Sequence, residues 1–149
     1  MASARIKLIE ALAMARVINT NSPGKRRNAQ LRTIAEILRR LSQQRTVSPE
    51  TKDMVAALVY CLRAIDDTVE ESTRAWEKRG YWKKADDFQQ KWWWASLEAQ
   101  SLEKLVKAGD WHLLPEAMVK LLPRVAHIQL NRMTRDPSLW AGAYEKLVG

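Results

Sequence analysis

Residues 76–95 read WEKRGYWKKADDFQQKWWWA, and this stretch decides the fold. It contains five of the seven Trp residues of the chain and its only Phe. Written as a helix, it places bulky side chains on one stripe at spacings of four and three residues. The stripe consists of Tyr81, Ala85, Phe88, Trp92 and Ala95. Because so much aromatic surface needs an apolar partner, we expect the helix to be enclosed on more than one face.

The spacing of this stripe continues from residue 99 to residue 106 and stops at Gly109, a residue type that commonly ends helices. Upstream, Ser48-Pro49 is a typical helix start, in which the serine caps the helix and the proline occupies its first turn. A broad apolar stripe follows that start. We therefore predict a long antiparallel helix pair over about residues 49–79 and 81–108, with a glycine at the break between them.

The rest of the chain also has helical periodicity and no strand-like alternation. The further predicted helices cover about residues 3–18, 25–45, 115–130 and 136–147. Pro123 lies inside the third of these and is expected to kink it. The sequence therefore predicts an all-α helical bundle of about five to six helices. The bundle forms either one domain over residues 1–149 or two lobes, a basic lobe over 1–47 and a main bundle over 48–149.

Positive charge is concentrated in the first third of the chain. The net charge is +8, and residues 1–47 carry ten Lys or Arg against two acids, Glu10 and Glu36. The remaining two thirds are close to neutral. A one-sided excess of this kind is typical of binding to a polyanion, because neutralising phosphates releases counterions. An anionic membrane surface would attract the same excess.

The composition favours a cytoplasmic protein that does not span a membrane. No apolar run approaches the roughly 18 residues needed to cross a bilayer. The first 18 residues contain Arg5, Lys7, Glu10 and Arg16, which makes them resemble an amphipathic helix more than a signal peptide. The single cysteine, Cys61, cannot form an internal disulfide, and its apolar neighbours predict a buried thiol in a reducing compartment.

The cationic face of the helix over residues 25–45 is the predicted nucleic-acid contact. Its members are Lys25, Arg26, Arg27, Arg32, Arg39, Arg40 and Arg45. Each cation at a helix N-terminus destabilises the helix by a few tenths of a kcal/mol, because it opposes the macrodipole. Helix stability alone therefore does not favour the cations in the first turn of this helix. The alternative is a solvated face that maintains solubility. The predicted secondary contacts are Lys83, Lys84, Trp82 and Trp94, whose cations bind phosphates and whose rings stack on bases.

Carboxylates at helical spacing are the strongest enzymatic candidate. Asp66, Asp67, Glu70 and Glu71 share one side of the predicted helix, and Asp86 and Asp87 follow on the next. They resemble the magnesium sites of all-helical nucleotide pyrophosphohydrolases, but Lys83 occupies the position where the second motif needs a glutamate. Ion pairs with neighbouring cations explain the same residues. One Cys and two His residues have no zinc-ligand spacing, so we predict no metal, no cofactor and no catalysis.

Together, the basic helix over residues 25–45 and the helical pattern of residues 49–108 resemble the small helical subunits of CRISPR effector complexes. The resemblance implies a non-catalytic subunit of a ribonucleoprotein that acts in antiviral defence. It also implies contact with the backbone of single-stranded DNA or RNA, and assembly in several copies beside other protein subunits. The competing prediction is a helical interaction module, or a homo-oligomeric scaffold, that binds an acidic partner protein. The third functional prediction is a magnesium-dependent nucleotide hydrolase.

Overall fold

A computed structural model describes residues 21–149. The described residues form five α-helices and two short 3-10 helices, without any β-strand. The α-helices are α1 (Pro23–Ser42), α2 (Pro49–Lys78), α3 (Trp82–Ala108), α4 (Leu114–Val125) and α5 (Ala143–Val148). The prediction of an all-α helical bundle is confirmed. The predicted helix over residues 3–18 lies outside the described residues.

Helix α2 is the central element, because it packs against α1, α3 and α5. It begins with a capping box in which Ser48 and Thr51 each bond the backbone amide of the other through their side chains. Its broad apolar stripe is buried along most of its length. One core includes buried residues of all five helices. No helix within residues 21–149 has both the length and the apolar character that crossing a membrane requires.

The long antiparallel pair consists of α2 and α3, as predicted. The chain reverses at Gly80, whose φ of +79° lies in the left-handed region that favours glycine. The amide of Tyr81 bonds the carbonyl of Trp76 at 2.9 Å and closes this turn. At the far end of α3, Gly109 adopts φ +71° and terminates the helix.

The aromatic stripe of α3 is buried to different extents along its length. Its alanines and its C-terminal half are buried, whereas Phe88 and Trp92 are half-buried. Trp76 of α2 meets Phe88 edge to face, with ring centroids 4.9 Å apart. Tyr81 is exposed, because it precedes the first turn of α3 at the open end of the helix pair. The stripe therefore packs as predicted except at its first residue.

The C-terminal third differs from the prediction of a helix over residues 115–130. Helix α4 ends at Val125, and residues 126–136 form turns and irregular backbone. Pro123 removes one backbone donor near this end, and α1 supplies side-chain partners for the irregular backbone beyond it. The predicted last helix is also shorter, since a 3-10 turn (Pro137–Leu139) and the buried ring of Trp140 precede α5.

Candidate nucleic-acid interface

Arg27 lies inside the bundle, although the sequence predicts it on a cationic surface. Its guanidinium donates hydrogen bonds to the hydroxyl groups of Thr68 and Ser72, each at 3.1 Å. The same group lies 4.7 Å from the ring centroid of Phe88 and 5.1 Å from that of Trp92. Burial lowers the pKa of Arg27. Arg27 therefore connects α1 to both α2 and α3.

Three further arginines of the predicted face bind the irregular C-terminal backbone at residues 129–135. Arg32 donates to two carbonyl oxygens of this segment at 2.8 and 3.3 Å. Arg39 donates to one carbonyl at 2.8 Å, and Arg40 to another at 3.3 Å. The guanidinium of Arg40 also lies 5.3 Å from the ring centroid of Trp140. These side chains satisfy backbone acceptors that no helix or sheet pairs.

Glu36 is the buried centre of this contact. Its carboxylate accepts hydrogen bonds from Arg32 Nε at 2.8 Å, from the Thr134 amide and hydroxyl at 2.7 Å, and from the Arg135 amide at 2.8 Å. Burial alone would raise the pKa of Glu36, but these hydrogen bonds outweigh it and hold the pKa at about 2. The one acid on the basic helix therefore anchors the segment after α4.

The remaining members of the predicted face do not form a continuous stripe. Arg26 pairs with Glu71 of α2. Lys25 and Arg45 are exposed, and their side chains have no ion pair or hydrogen bond with the described residues. Lys25 lies in the first turn of α1 and Arg45 lies three residues beyond its end, so a helix of about 30 Å separates them. Helix α1 therefore displays isolated cations at its ends, while its middle arginines hold the fold together.

The strongest free cationic cluster among the described residues is the turn between α2 and α3, which we call the cationic tip (residues 78–84). Its cations are Lys78, Arg79, Lys83 and Lys84. None of these four side chains forms an ion pair or a hydrogen bond with another described residue, and the tip contains no acid. Two aromatic rings stand among them: Trp82 is 65% exposed and Tyr81 is about half exposed. Phosphate groups and unpaired bases both find partners on such a surface.

The start of α3 adds to the positive potential of the tip. Tyr81 occupies the N-cap position without a side-chain hydrogen bond to the helix, and the first turn contains no acidic residue. The first backbone amides of a helix have no partner inside it, and they carry the positive end of the macrodipole. Two lysines at this position oppose the helix dipole, so helix stability does not account for Lys83 and Lys84.

The N-terminal end of α1 lies at the same end of the bundle as the cationic tip. Arg26 and Arg27 contact residues 68–72 of α2, which precede the tip by about 10–15 Å along the helix axis. Lys25 therefore adds a free cation to this end. Arg45, at the other end of α1, does not.

The predicted secondary contacts are partly brought together. Lys83, Lys84 and Trp82 are consecutive exposed residues in the first turn of α3. Trp94, the other ring predicted to stack on bases, is half-buried, and the guanidinium of Arg124 lies 4.9 Å from its centroid. Trp93 is 53% exposed instead, because it faces away from the buried stripe of α3.

Sequence reasoning missed half of the tip, namely Lys78, Arg79 and Tyr81. The signal was present in the run KRGYWKK, which has cations on both sides of a glycine and no acid. A glycine between two long amphipathic helices predicts an exposed turn, and charges in an exposed turn are free of the packing that engages charges along a helix.

The acidic residues of α2 do not gather into a metal site. Among the described residues, no group of three or more His, Cys, Asp or Glu side chains is arranged to hold a metal ion. Glu70 pairs with Arg74 at 3.5 Å, as the ion-pair alternative predicts, whereas Glu71 pairs with Arg26. Burial, followed by the charges of Glu70 and Asp67, raises the pKa of Asp66.

Cys61 is buried, and burial raises the pKa of its thiol to about 12. At neutral pH the thiol is protonated, whereas a nucleophilic cysteine is a thiolate. Both His112 and His127 are exposed. These three side chains do not meet in one site.

Comparison with known proteins gives no match: no family model, no curated protein and no solved structure matches this chain. The functional interpretation therefore depends on the chemistry of the described residues.

Proposed function

We propose that this chain is a non-catalytic nucleic-acid-binding protein whose cationic tip binds the phosphate backbone of a single strand. The observation that carries the proposal is that the fold does not use the cationic side chains of the tip. Its four cations form no ion pair or hydrogen bond with the described residues, and the one further contact is that of Lys84 with the ring of Tyr81 at 5.5 Å, within the tip itself. All five arginines of α1 donate to other parts of the fold. A cation without an internal partner can neutralise a phosphate at no cost to the fold.

The aromatic rings of the tip favour a single strand over a duplex. Trp82 presents an exposed ring in the first turn of α3, and the ring of Tyr81 lies 5.5 Å from the ammonium group of Lys84. An unpaired base stacks on such a ring with a free energy of about 1–3 kcal/mol, whereas bases inside a duplex are already stacked. The contacts are with phosphates and base faces, so we expect weak sequence preference.

The cellular setting belongs to the same proposal. The resemblance to small helical CRISPR subunits favours a ribonucleoprotein in antiviral defence, in which this chain works beside other protein subunits. A cytoplasmic location agrees with the buried, protonated thiol of Cys61.

The proposal is tested by equilibrium binding of fluorescently labelled oligo(dT) and oligo(U) of about 15 nucleotides. The Lys83→Glu/Lys84→Glu variant is expected to bind about a hundredfold more weakly than the wild type, because two charge-assisted contacts become repulsive. The matched control is Lys104→Glu/Lys120→Glu, which changes the net charge equally at two exposed lysines outside the tip. Its affinity is expected to stay within about threefold of the wild type.

Salt dependence provides a second readout from the same measurement. If the four cations of the tip each neutralise one phosphate, log K falls with log salt with a slope of about −3 for a single strand. The tip variant is expected to have about half this slope. No binding of the wild type at low salt, or an equal loss in tip variant and control, contradicts the proposal.

A further inference from the structure

Apolar side chains line two adjacent depressions between the C-terminal end of α1 and α4. Two hollows of about 360 and 540 Å³ meet at Met118 and Leu122, and we call them together the apolar groove. The apolar residues that line it include Leu38, Met118, Val119, Leu122, Pro123 and Ile128. The groove follows α4, a helix of about 18 Å.

The groove exposes apolar surface that residues 21–149 leave uncovered. Val119 is 64% exposed and Leu122 is 48% exposed, and both side chains point from the same helix. Val47, on the loop before α2, is a third exposed apolar side chain on the same lining. Single exposed apolar residues are common, but several around one concave surface are typical of a binding site for another chain.

The charge around the groove is of one sign. Arg39 lines one hollow and Arg45 the other, and no described residue that lines the groove is acidic. Arg39 uses one guanidinium nitrogen for a backbone carbonyl and stays exposed, and Arg45 has no partner among the described residues. A ligand for this surface therefore combines apolar anchors with negative charge.

We infer that the apolar groove binds an amphipathic helix of a partner protein that carries acidic residues beside its apolar stripe. Side chains at positions i, i+3 or i+4 and i+7 of such a helix would enter the two hollows. Its carboxylates would meet Arg39 and Arg45 at the rim, where charge complementarity selects the partner and its orientation. This surface is distinct from the cationic tip, so the inference does not depend on the proposed function.

Charge distinguishes this occupant from the chain itself. The amphipathic segment predicted over residues 3–18 carries Arg5, Lys7 and Arg16 against Glu10, a net positive charge that the rim arginines repel. A second copy would offer the acids of α2. However, no described residue between 48 and 80 is an exposed large hydrophobic, so those acids lack the apolar anchors that the groove needs. Helix α3 does expose Trp93 and Leu97 on a helix that also carries Glu98, and light scattering tests that arrangement.

The test uses the full chain and two synthetic helical peptides of about 18 residues as probes. One peptide has leucines at the anchor positions and glutamates elsewhere, and the other has the same leucines with lysines. The glutamate peptide is expected to bind at least about tenfold more tightly than the lysine peptide, measured by fluorescence anisotropy. Leu122→Asp is expected to weaken that binding by about tenfold or more.

Two variants keep this measurement specific. Val119→Asp is a second groove variant, chosen because its side chain is more exposed and the substitution tests the groove even where Leu122→Asp disturbs folding. Leu97→Asp is the matched control, an exposed leucine on α3 away from the groove. It is expected to leave the affinity for the glutamate peptide unchanged. Arg45→Glu is expected to lower the affinity for the glutamate peptide and to raise the affinity for the lysine peptide.

Several results would overturn the inference. Equal affinity for the two peptides, or binding to neither, removes the acidic helix as occupant. A dimer in light scattering that Leu122→Asp abolishes would assign the groove to a second copy, whether or not Leu97→Asp also abolishes it. An intramolecular disulfide between Ile9→Cys and Leu122→Cys, in a Cys61→Ser background, would assign it to the chain's own N-terminal segment.

Discussion

Two regions of this molecule each contain a group of four cations, but the surroundings of those cations are opposite. On α1, Arg27, Arg32, Arg39 and Arg40 all donate hydrogen bonds within the protein. On the cationic tip, the four cations donate to no described residue. The charges of the first region hold the fold together, whereas those of the second region are available to a ligand.

The difference between the regions follows from side-chain chemistry as well as from position. The guanidinium of arginine is a planar fork of five donors, which suits carbonyl groups of irregular backbone and aromatic faces. Lysine is a compact point charge that bonds such acceptors less well. The buried region of α1 uses arginine throughout, and three of the four cations on the tip are lysines. A cationic stripe in a sequence is therefore weak evidence for a ligand when arginines dominate it.

The variant expected to have the largest effect is Glu36→Gln, which tests whether the contacts of α1 with the segment after α4 stabilise the fold. The substitution removes the charge at the centre of the arginine contacts and leaves Arg32 without its buried partner, so we expect the free energy of unfolding to fall by about 3–5 kcal/mol. Urea denaturation measures this loss. Glu71→Gln is the control, because the exposed pair of Glu71 with Arg26 is worth about 0–1 kcal/mol. Equal losses in the two variants would contradict the role given to Glu36.

The same carboxylate predicts how stability depends on pH. The pKa of Glu36 falls from 4.5 to about 2 on folding, so its contribution is fully present above about pH 5 and is lost as the pH falls through 2. The shift corresponds to about 3 kcal/mol. Urea denaturation between pH 6 and 2 should show this loss in the wild type, and Glu36→Gln should lack it. An identical pH profile for the two proteins would disprove the prediction.

Arg27→Met tests the connection between α1 and the other two long helices. Methionine keeps the apolar contact with Phe88 and Trp92 but leaves the hydroxyls of Thr68 and Ser72 without their donor. We expect the free energy of unfolding to fall by about 2 kcal/mol. Thermal denaturation followed by circular dichroism measures it, with Lys25→Met as the exposed control. A loss no larger than that of the control would mean that Arg27 does not hold the helices together.

Trp82→Ala tests whether a ring of the cationic tip stacks on an unpaired base. The affinity for a single strand is expected to fall about tenfold, since one stacked base is worth about 1–3 kcal/mol, while the affinity for a duplex changes little. Trp93→Ala removes a comparably exposed ring from the same helix, outside the tip, and should change neither affinity. Anisotropy with matched single-stranded and duplex oligonucleotides distinguishes the cases. If Trp93→Ala weakens binding as much as Trp82→Ala, stacking at the tip is excluded.

The fold could be predicted largely from local patterns, whereas the surroundings of individual charges could not. Ser48, Gly80 and Gly109 mark helix ends through chemistry that involves few neighbouring residues, and these ends agree with the structure. The segment after Val125 fails as a helix because Glu36 and three arginines, about 90–100 positions earlier in the chain, bind its backbone. Such long-range hydrogen bonds from side chains to the backbone produce no periodic pattern in the sequence.

The candidate site divides in the same way. Lys83, Lys84 and Trp82 could be predicted because residues flanking a glycine turn are exposed whatever the tertiary packing. Arg27 could not be excluded from the surface, because its burial depends on rings more than 60 positions away. The partial burial of Trp94 could not be predicted, because adjacent residues on a helix differ by about 100° in direction and neighbouring helices decide which of them is covered.

The most direct test of the central claim compares two variants that each remove two cations from one region. Arg39→Gln/Arg40→Gln changes α1, and Lys83→Gln/Lys84→Gln changes the tip, so the two proteins have equal net charge. We predict that the α1 variant binds a single strand within about twofold of the wild type but is less stable to urea. The tip variant should keep its stability and lose about tenfold or more in affinity. Loss of binding in the α1 variant, with binding retained in the tip variant, would contradict the account.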